Sequence, residues 1–232
     1  MPRKPRFFLP NIPVHVVIRG NARQVVFAED TDRTVYLDWL KEATEKEKVN
    51  IHAYVLMDNH VHLLLSTNEP HNISRVMQHI GRKYVPYFNH KYGKSGTLWE
   101  GRFKGCMIES ERYLLCCYRY IELNPVRANM VKRPEEWRWS SYACNAYGEK
   151  DKLIKPHEVY IAIHKDKKKR VDYYRGSFKQ VLEPSLINDL RSAVQTGTPL
   201  GNDRFKKEVE QLLGVKIGYA KRGRPKNDTK GY

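Results

Sequence analysis

Two short apolar segments separated by only two residues constrain the fold of this chain most. Ile51 to Met57 (IHAYVLM) is apolar on both faces, and His60 to Ser66 (HVHLLLS) follows directly after Asp58-Asn59. Such a short break favours an antiparallel hairpin, although it lacks the glycine of the commonest two-residue turns. An apolar segment without a polar face is typical of a central strand. The sequence therefore predicts a sheet with Ile51 to Met57 in its interior.

The segments around this hairpin complete a βαββαβα order. The predicted elements are a strand at Val14 to Arg19, a helix at Glu29 to Lys48, a helix at Asn72 to Tyr92, a strand reached through Trp99 to Ile108, and a helix from Ser110 to about Asn124, where Pro125 discourages continuation. Short, right-handed connections satisfy this order in an antiparallel sheet with helices on one face. We expect an α+β, ferredoxin-like sandwich over residues 1–147.

Charge and composition narrow the function classes. The 42 Lys and Arg residues outnumber the 26 Asp and Glu residues, so the net charge of +16 favours a polyanionic partner. No run of 18 apolar residues indicates a membrane span, and no apolar signal core follows the basic start of the chain. The four cysteines form no CxxC pair, which argues against a zinc ribbon or a disulfide scaffold and favours small buried side chains. The expected location is cytoplasmic.

The chain changes character after Gly148. Residues 148–215 carry a basic run at Lys165 to Arg170 and two helical segments, Ser185 to Gln195 and Asn202 to Leu213. These two helices fit a DNA-reading helix-turn-helix or a packing hairpin, and the proline between them favours packing. In the basic tail 216–232, Arg222-Gly223-Arg224-Pro225 matches the core of an AT-hook, which binds the DNA minor groove. A solvated basic tail without a binding role is the alternative interpretation.

Two local patterns carry possible chemistry. His60 and His62 stand two residues apart on a predicted strand, so both side chains leave one face and could bind a divalent metal; two ordinary surface histidines would look the same. Tyr120 and Asn124 share a helix face at i,i+4 spacing, and a tyrosine hydroxyl can act as a covalent nucleophile. The chain has 15 tyrosines, so the spacing alone does not single out Tyr120.

Several blocks resemble the HUH family of single-tyrosine transposases. Asp58 to Leu65 (DNHVHLLL) resembles its His-hydrophobic-His signature, with aspartate where many relatives have proline, and Arg119 to Ala128 (RYIELNPVRA) resembles its tyrosine helix. Further matching blocks occur in the family's order at His15 to Asn21, Gly101 to Lys104 and Trp139 to Tyr142. The resemblance spans about the first 145 residues and is greatest to REP-associated tyrosine transposases, relatives of insertion-sequence transposases.

The resemblance implies an endonuclease and strand-transferase that acts on single-stranded or hairpin repeat DNA. Tyr120 would be the nucleophile and form a 5′-phosphotyrosine link. His60 and His62 would hold Mg²⁺ or Mn²⁺, with Asn124 as a third ligand and nearby Glu122 as the alternative. The partner would be DNA, bound by a monomer or a homodimer in the nucleoid.

Basic residues interleave with aromatic residues between Tyr84 and Lys104, a mixture that can grip a backbone and stack bases. Trp99 and Phe103 could equally belong to the core. With the basic residues of the matching blocks and of the tail, the candidate DNA-binding residues are Arg19, Lys91, Arg102, Lys104, Arg127, Arg222 and Arg224.

Three function classes follow: a metal-dependent strand-transferase, a non-catalytic DNA-binding protein derived from one, and an RNA-binding module on a ferredoxin-like sheet. The intact set of His60, His62 and Tyr120 favours the first over the second. The third lacks the aromatic consensus of RNA-recognition strands.

Overall fold

A computed structural model describes residues 8–214, with the backbone alone for residues 110–112. Its centre is a four-stranded antiparallel sheet in the order β2-β3-β1-β4. The strands are β1 Val14–Arg19, β2 Val49–Met57, β3 His60–Thr67 and β4 Lys104–Met107. With its two βαβ crossovers, this order is that of a ferredoxin-like sandwich and confirms the predicted α+β class.

Helices follow the predicted order and extend beyond it. They are α1 Asp30–Lys46, α2 Asn72–Lys91, α3 Ser110–Glu122, α4 Asn124–Arg127, α5 Tyr142–Tyr147, α6 Glu158–Ala162, α7 Lys167–Ser177, α8 Pro184–Thr196 and α9 Asp203–Leu213. Pro125 stands near the start of α4, so the chain turns there as predicted and begins a second short helix.

The first hydrophobic core lies between one face of the sheet and helices α1 and α2. The alternate residues Val61, Leu63 and Leu65 of β3 are fully buried in this core, together with Tyr36 of α1 and Tyr84 of α2. This alternation is the one that the sequence predicts. Trp99 and Phe103 are each 6% exposed in the same core, so they pack in the interior and are not a base-stacking surface.

A second hydrophobic core lies on the other face of the sheet, so the prediction that helices cover one face only is wrong. The opposite face of the sheet packs α3 against β2 and β3, and α8 against β4 and β1. Val55, Leu64 and Cys106 contribute the sheet side of this second core. Because helices cover both faces in the described residues, the open sheet surface of an RNA-recognition module is absent there.

The position of β2 also differs from the prediction. Its apolar sequence indicates a central strand, but β2 lies at the edge of the sheet. Its outer side is covered by residues 137–155, which accept and donate backbone hydrogen bonds at Tyr54, Leu56 and Ile51. The strand is apolar on both sides because helices cover both sheet faces.

Residues after Gly148 pack on the same core. Tyr160 of α6 and Tyr174 of α7 surround Tyr118 of α3 with ring centroids 5.9 and 6.2 Å from it. The two predicted C-terminal helices are present as α8 and α9, and both bury apolar residues against the sheet layers. The division into three domains stays a prediction, and the tail 216–232 lies outside the described residues.

All four cysteines are free, with Cys106 and Cys117 buried and Cys116 and Cys144 partly buried. This agrees with their interpretation as small apolar side chains.

Candidate active site

A cleft opens on the second face of the sheet, between α3–α4 and α8. Strands β1 and β3 form its floor, because their register sets Val17 opposite His62 and Arg19 opposite His60. The cleft has a volume of about 360 Å³. Its lining residues are His15, Val17, Arg19, Met57, His60, His62, Tyr120, Asn124, Arg127, Ala128, Arg191, Val194 and Gln195. Six predicted site residues from three separate segments therefore meet in one place.

His60 and His62 project from the same face of β3, as their spacing predicts. Their ring centroids lie 5.0 Å apart with the planes nearly perpendicular. Each ring uses Nδ1 inside the protein: His60 Nδ1 lies 2.6 Å from Asn59 Oδ1, and His62 Nδ1 lies 2.8 Å from His15 Nε2. Both histidines therefore have Nε2 left over for a ligand in the cleft.

His15 is a third histidine that the sequence analysis did not select. It is 1% exposed, stacks on His62 at 5.1 Å, and has no hydrogen-bond partner for Nδ1 among the described residues. The alternation of β1 places His15, Val17 and Arg19 on the face that carries the His60 side chain. That alternation is readable in the sequence, but the pairing with His62 depends on the register of β1 against β3.

All three rings are neutral at neutral pH. Burial lowers the pKa of His15 to about 3, and burial, followed by the charge of Arg19, lowers the pKa of His60 to about 4. Burial holds the pKa of His62 well below its usual range, with smaller effects from His15 and His60. Neutral imidazoles keep the lone pairs that a metal requires.

Tyr120 of α3 points into the cleft beside these rings. Its ring centroid lies 5.7 Å from that of His15 and 5.9 Å from that of His62. The guanidinium carbon of Arg127 stands 4.5 Å from the Tyr120 ring centroid, a cation–π geometry. Tyr118 is fully buried on the other side of α3, where its hydroxyl accepts a hydrogen bond from the backbone of His157. The fold thus separates Tyr120 from its neighbour.

Asn124 lies at the start of α4 and is 8% exposed. Its Nδ2 donates to the carbonyl oxygens of Tyr120 at 2.8 Å and Ile121 at 3.2 Å. Only the amide nitrogen can donate to two carbonyls, so the orientation is determined and Oδ1 remains available on the cleft side.

Glu122, the alternative ligand, turns away from the cleft. It is fully buried and accepts hydrogen bonds from Ser141, Asn145 and Tyr174 at 2.6 to 2.8 Å. Burial raises the pKa of this carboxyl to about 7, against the effect of the three donors. Glu122 therefore connects α3 to α5 and α7 and is not positioned as a ligand.

The donor set fits a divalent ion in part. His60 Nε2, His62 Nε2 and Asn124 Oδ1 are two nitrogen donors and one oxygen donor, a set that Mn²⁺ accepts and that leaves room for phosphate and water. The hydrogen bond between His62 and His15 has the form of the outer hydrogen bonds that orient ligating histidines. Within residues 8–214, no group of three or more His, Cys, Asp or Glu side chains has the arrangement of a metal site, so an amide or a substrate oxygen must complete the shell.

The candidate DNA-binding residues divide into four groups. Arg19 and Arg127 line the cleft, and Arg102 and Lys104 line a groove that adjoins it. Lys91 lies on α2, against the other sheet face, where it contacts Asp32 at 2.8 Å and Glu29 at 3.1 Å. The structure therefore does not bring Lys91 to the cleft. Arg222 and Arg224 lie outside the described residues.

Comparison with known families agrees with this geometry. The family described as "Transposase IS200 like" matches residues 9–124, half of the chain, from just before β1 to Asn124. This chain belongs to the IS200-like transposase family. The match ends before α5, so α8 and its side of the cleft lie outside the family region.

A solved structure shows the same fold. A REP-associated tyrosine transposase bound to a REP hairpin matches 68% of this transposase and 93% of its own chain, at 19% identity and a TM-score of 0.53. A protein of Deinococcus radiodurans assigned as a transposase matches 58% of this chain and 96% of its own, at 18% identity, but its TM-score of 0.37 is too low to support the fold. None of the curated proteins matches the chain in sequence.

Among residues 8–214, no helix is long and apolar enough to cross a membrane.

Proposed function

We propose that this transposase cuts and rejoins single-stranded DNA through a covalent link to Tyr120. The observation that carries the proposal is the meeting of Tyr120 with His60 and His62 in one cleft, where both Nε2 atoms remain free. A DNA partner agrees with the net charge of +16 and with the REP hairpin held by the structural relative. Repeat or hairpin DNA is therefore the proposed substrate, and the nucleoid the proposed location.

In the cleavage step, the Tyr120 oxygen attacks a backbone phosphorus and loses its proton to solvent or a nearby base. The bond from phosphorus to the 3′ oxygen breaks, and that oxygen leaves as a 3′-hydroxyl after taking up a proton. The product is a 5′-phosphotyrosine. A 3′-hydroxyl of another strand can then attack this phosphorus, which restores Tyr120 and joins the strands without an external energy source.

Residues of the cleft support this step in different ways. Arg127 lies over the Tyr120 ring, where its positive charge favours a developing phenolate, and its buried Nη1 has no partner among the described residues and could donate to phosphate. His60, His62 and Asn124 would hold Mg²⁺ or Mn²⁺. An ion bound there would polarise the phosphate and would stabilise charge on the leaving oxygen.

The decisive experiment is a trap of the covalent intermediate. A labelled single-stranded oligonucleotide that carries the repeat hairpins flanking the gene is incubated with the full chain and Mn²⁺, then separated on a denaturing gel. Wild type and Tyr173→Phe, an exposed tyrosine of α7, should form a shifted protein–DNA band. Tyr120→Phe should bind DNA normally but form no band. An adduct that persists in Tyr120→Phe would refute the assignment, and tight binding without any adduct in wild type would favour a non-catalytic DNA-binding protein.

A further inference from the structure

The second wall of the cleft comes from α8, in the part of the chain beyond the family match. The buried residues Leu190, Ala193 and Val194 attach this helix to β4 and β1. The segment after α8 is held as well, because Leu200 donates a backbone hydrogen bond to Met107 and Asn202 bonds the carboxylate of Glu109. The wall is therefore built into the fold.

Arg191 and Gln195 lie next to this buried stripe and face the cleft. They stand four residues apart, on one side of α8, and both are exposed. Gln195 accepts a hydrogen bond from Lys104 of β4, while Arg191 has no ion-pair partner among the described residues. An exposed arginine beside a proposed phosphate site is free to contact an anion.

The cleft continues into a narrow groove between β4 and α8. The two share Val17, Arg19, Val194 and Gln195, and the groove also contains Lys104 and a single acidic residue, Glu100. Cationic side chains therefore follow the whole path from Tyr120 to the end of the groove. Val17, which is partly buried and lines both the cleft and the groove, lies between them and offers an apolar surface to a base.

We propose that α8 completes a channel for one DNA strand next to the phosphate that Tyr120 attacks, with Arg191 contacting a backbone phosphate and the Lys104–Gln195 pair guiding the strand onward. The inference rests on the proposed function of Tyr120. Single-stranded DNA is the occupant that the channel fits, because cationic groups alternate with apolar contacts as in other strand-binding grooves. The cleft volume of about 360 Å³ also favours a single strand over a duplex.

The test compares Arg191→Ala with Arg204→Ala in the full chain. Arg204 is an exposed arginine of α9 that does not line the cleft, so it controls for the loss of one positive charge. Binding of a fluorescein-labelled oligo-deoxythymidine of about 20 nucleotides is measured by anisotropy over a salt series. Arg191→Ala should bind about tenfold more weakly, and the slope of log K against log salt should fall by about 0.7, the value for one phosphate contact on a single strand. Arg204→Ala should stay close to wild type.

Binding without cleavage separates this inference from the function of Tyr120. Equal losses for Arg191→Ala and Arg204→Ala would overturn the channel, as would an equal loss on a blunt duplex and on the single strand. If Arg191→Ala behaves as expected while wild type forms no adduct, the channel stands and the proposed chemistry fails. If Tyr120→Phe abolishes the adduct while Arg191→Ala binds normally, the chemistry stands and the channel fails. Denaturation curves of the variants confirm that each is folded.

Discussion

Nδ1 of His62 lies 2.8 Å from Nε2 of His15, so a buried histidine of β1 holds the ring of a proposed metal ligand on β3. If His62 donates in this bond, its Nε2 carries the lone pair that a metal needs. His15 is then a positioning residue, which acts through His62.

His15→Phe should preserve the packing of the ring and remove the acceptor. Losing such an outer hydrogen bond typically weakens metal affinity by about 10- to 100-fold. Mn²⁺ binding measured by electron paramagnetic resonance should show this loss, and His15→Gln, which keeps an acceptor, should recover part of it. Unchanged Mn²⁺ affinity in a folded His15→Phe variant would show that His15 only fills the core.

Removal of divalent metal should abolish the covalent adduct. EDTA should suppress the shifted band, and Mg²⁺ or Mn²⁺ should restore it, because the phosphate otherwise lacks Lewis-acid polarisation. His60→Ala should lose most of the Mn²⁺ affinity and Asn124→Ala a smaller part. Glu122→Gln is the matched control, since that carboxylate faces away from the cleft; a loss of Mn²⁺ affinity there would restore Glu122 as a ligand.

Glu122 should matter for stability. Glu122→Ala leaves the donors of Ser141, Asn145 and Tyr174 buried without an acceptor, at a cost of about 1–3 kcal/mol for each unpaired group. We expect a loss of at least about 3 kcal/mol in the free energy of unfolding, measured with urea. Glu122→Gln keeps the shape and should lose less, and exposed Glu149→Ala should change stability by less than about 0.5 kcal/mol. A small effect of Glu122→Ala would mean that water replaces the carboxylate.

The stability of the fold should fall below neutral pH, in part through His52. Its two ring nitrogens form hydrogen bonds with Ser66 Oγ and with the Lys155 carbonyl oxygen, and burial lowers the pKa of His52 to about 4. In the unfolded chain His52 takes up a proton near pH 6.5, whereas in the folded chain it stays neutral down to about pH 4. Neutral His52 therefore stabilises the fold fully above pH 6.5, and this stabilisation is lost as the pH falls toward 4. It amounts to at most about 3 kcal/mol.

His52→Gln should flatten the dependence of unfolding free energy on pH between about 4 and 6.5, with a slope lower by up to about 1.4 kcal/mol per pH unit. Urea denaturation at several pH values measures this slope. The remaining slope belongs to the other buried histidines, including His15. An unaltered slope in His52→Gln would mean that His52 is protonated in the folded state.

Local sequence was sufficient for the elements of the family region. The two-residue break at Asp58-Asn59 and the alternation of His60 to Thr67 determine a hairpin with both histidines on one face, because side chains alternate along a strand whatever surrounds it. Periodicity likewise determined α1 and α2, and Pro125 determined the end of α3 near Tyr120.

Other features depend on contacts between distant segments, which no local pattern encodes. The edge position of β2 depends on the cover by residues 137–155, and Lys91 lies on the opposite face because the apolar side of α2 packs there. The partnership of His15 with His62 follows from strand register, and the turn of Glu122 into the core follows from α5 and α7. Sequence alone thus determined which residues share a face, whereas only tertiary packing decided which faces meet, because the strand order and the return of α8 onto β4 bring together groups up to 180 positions apart.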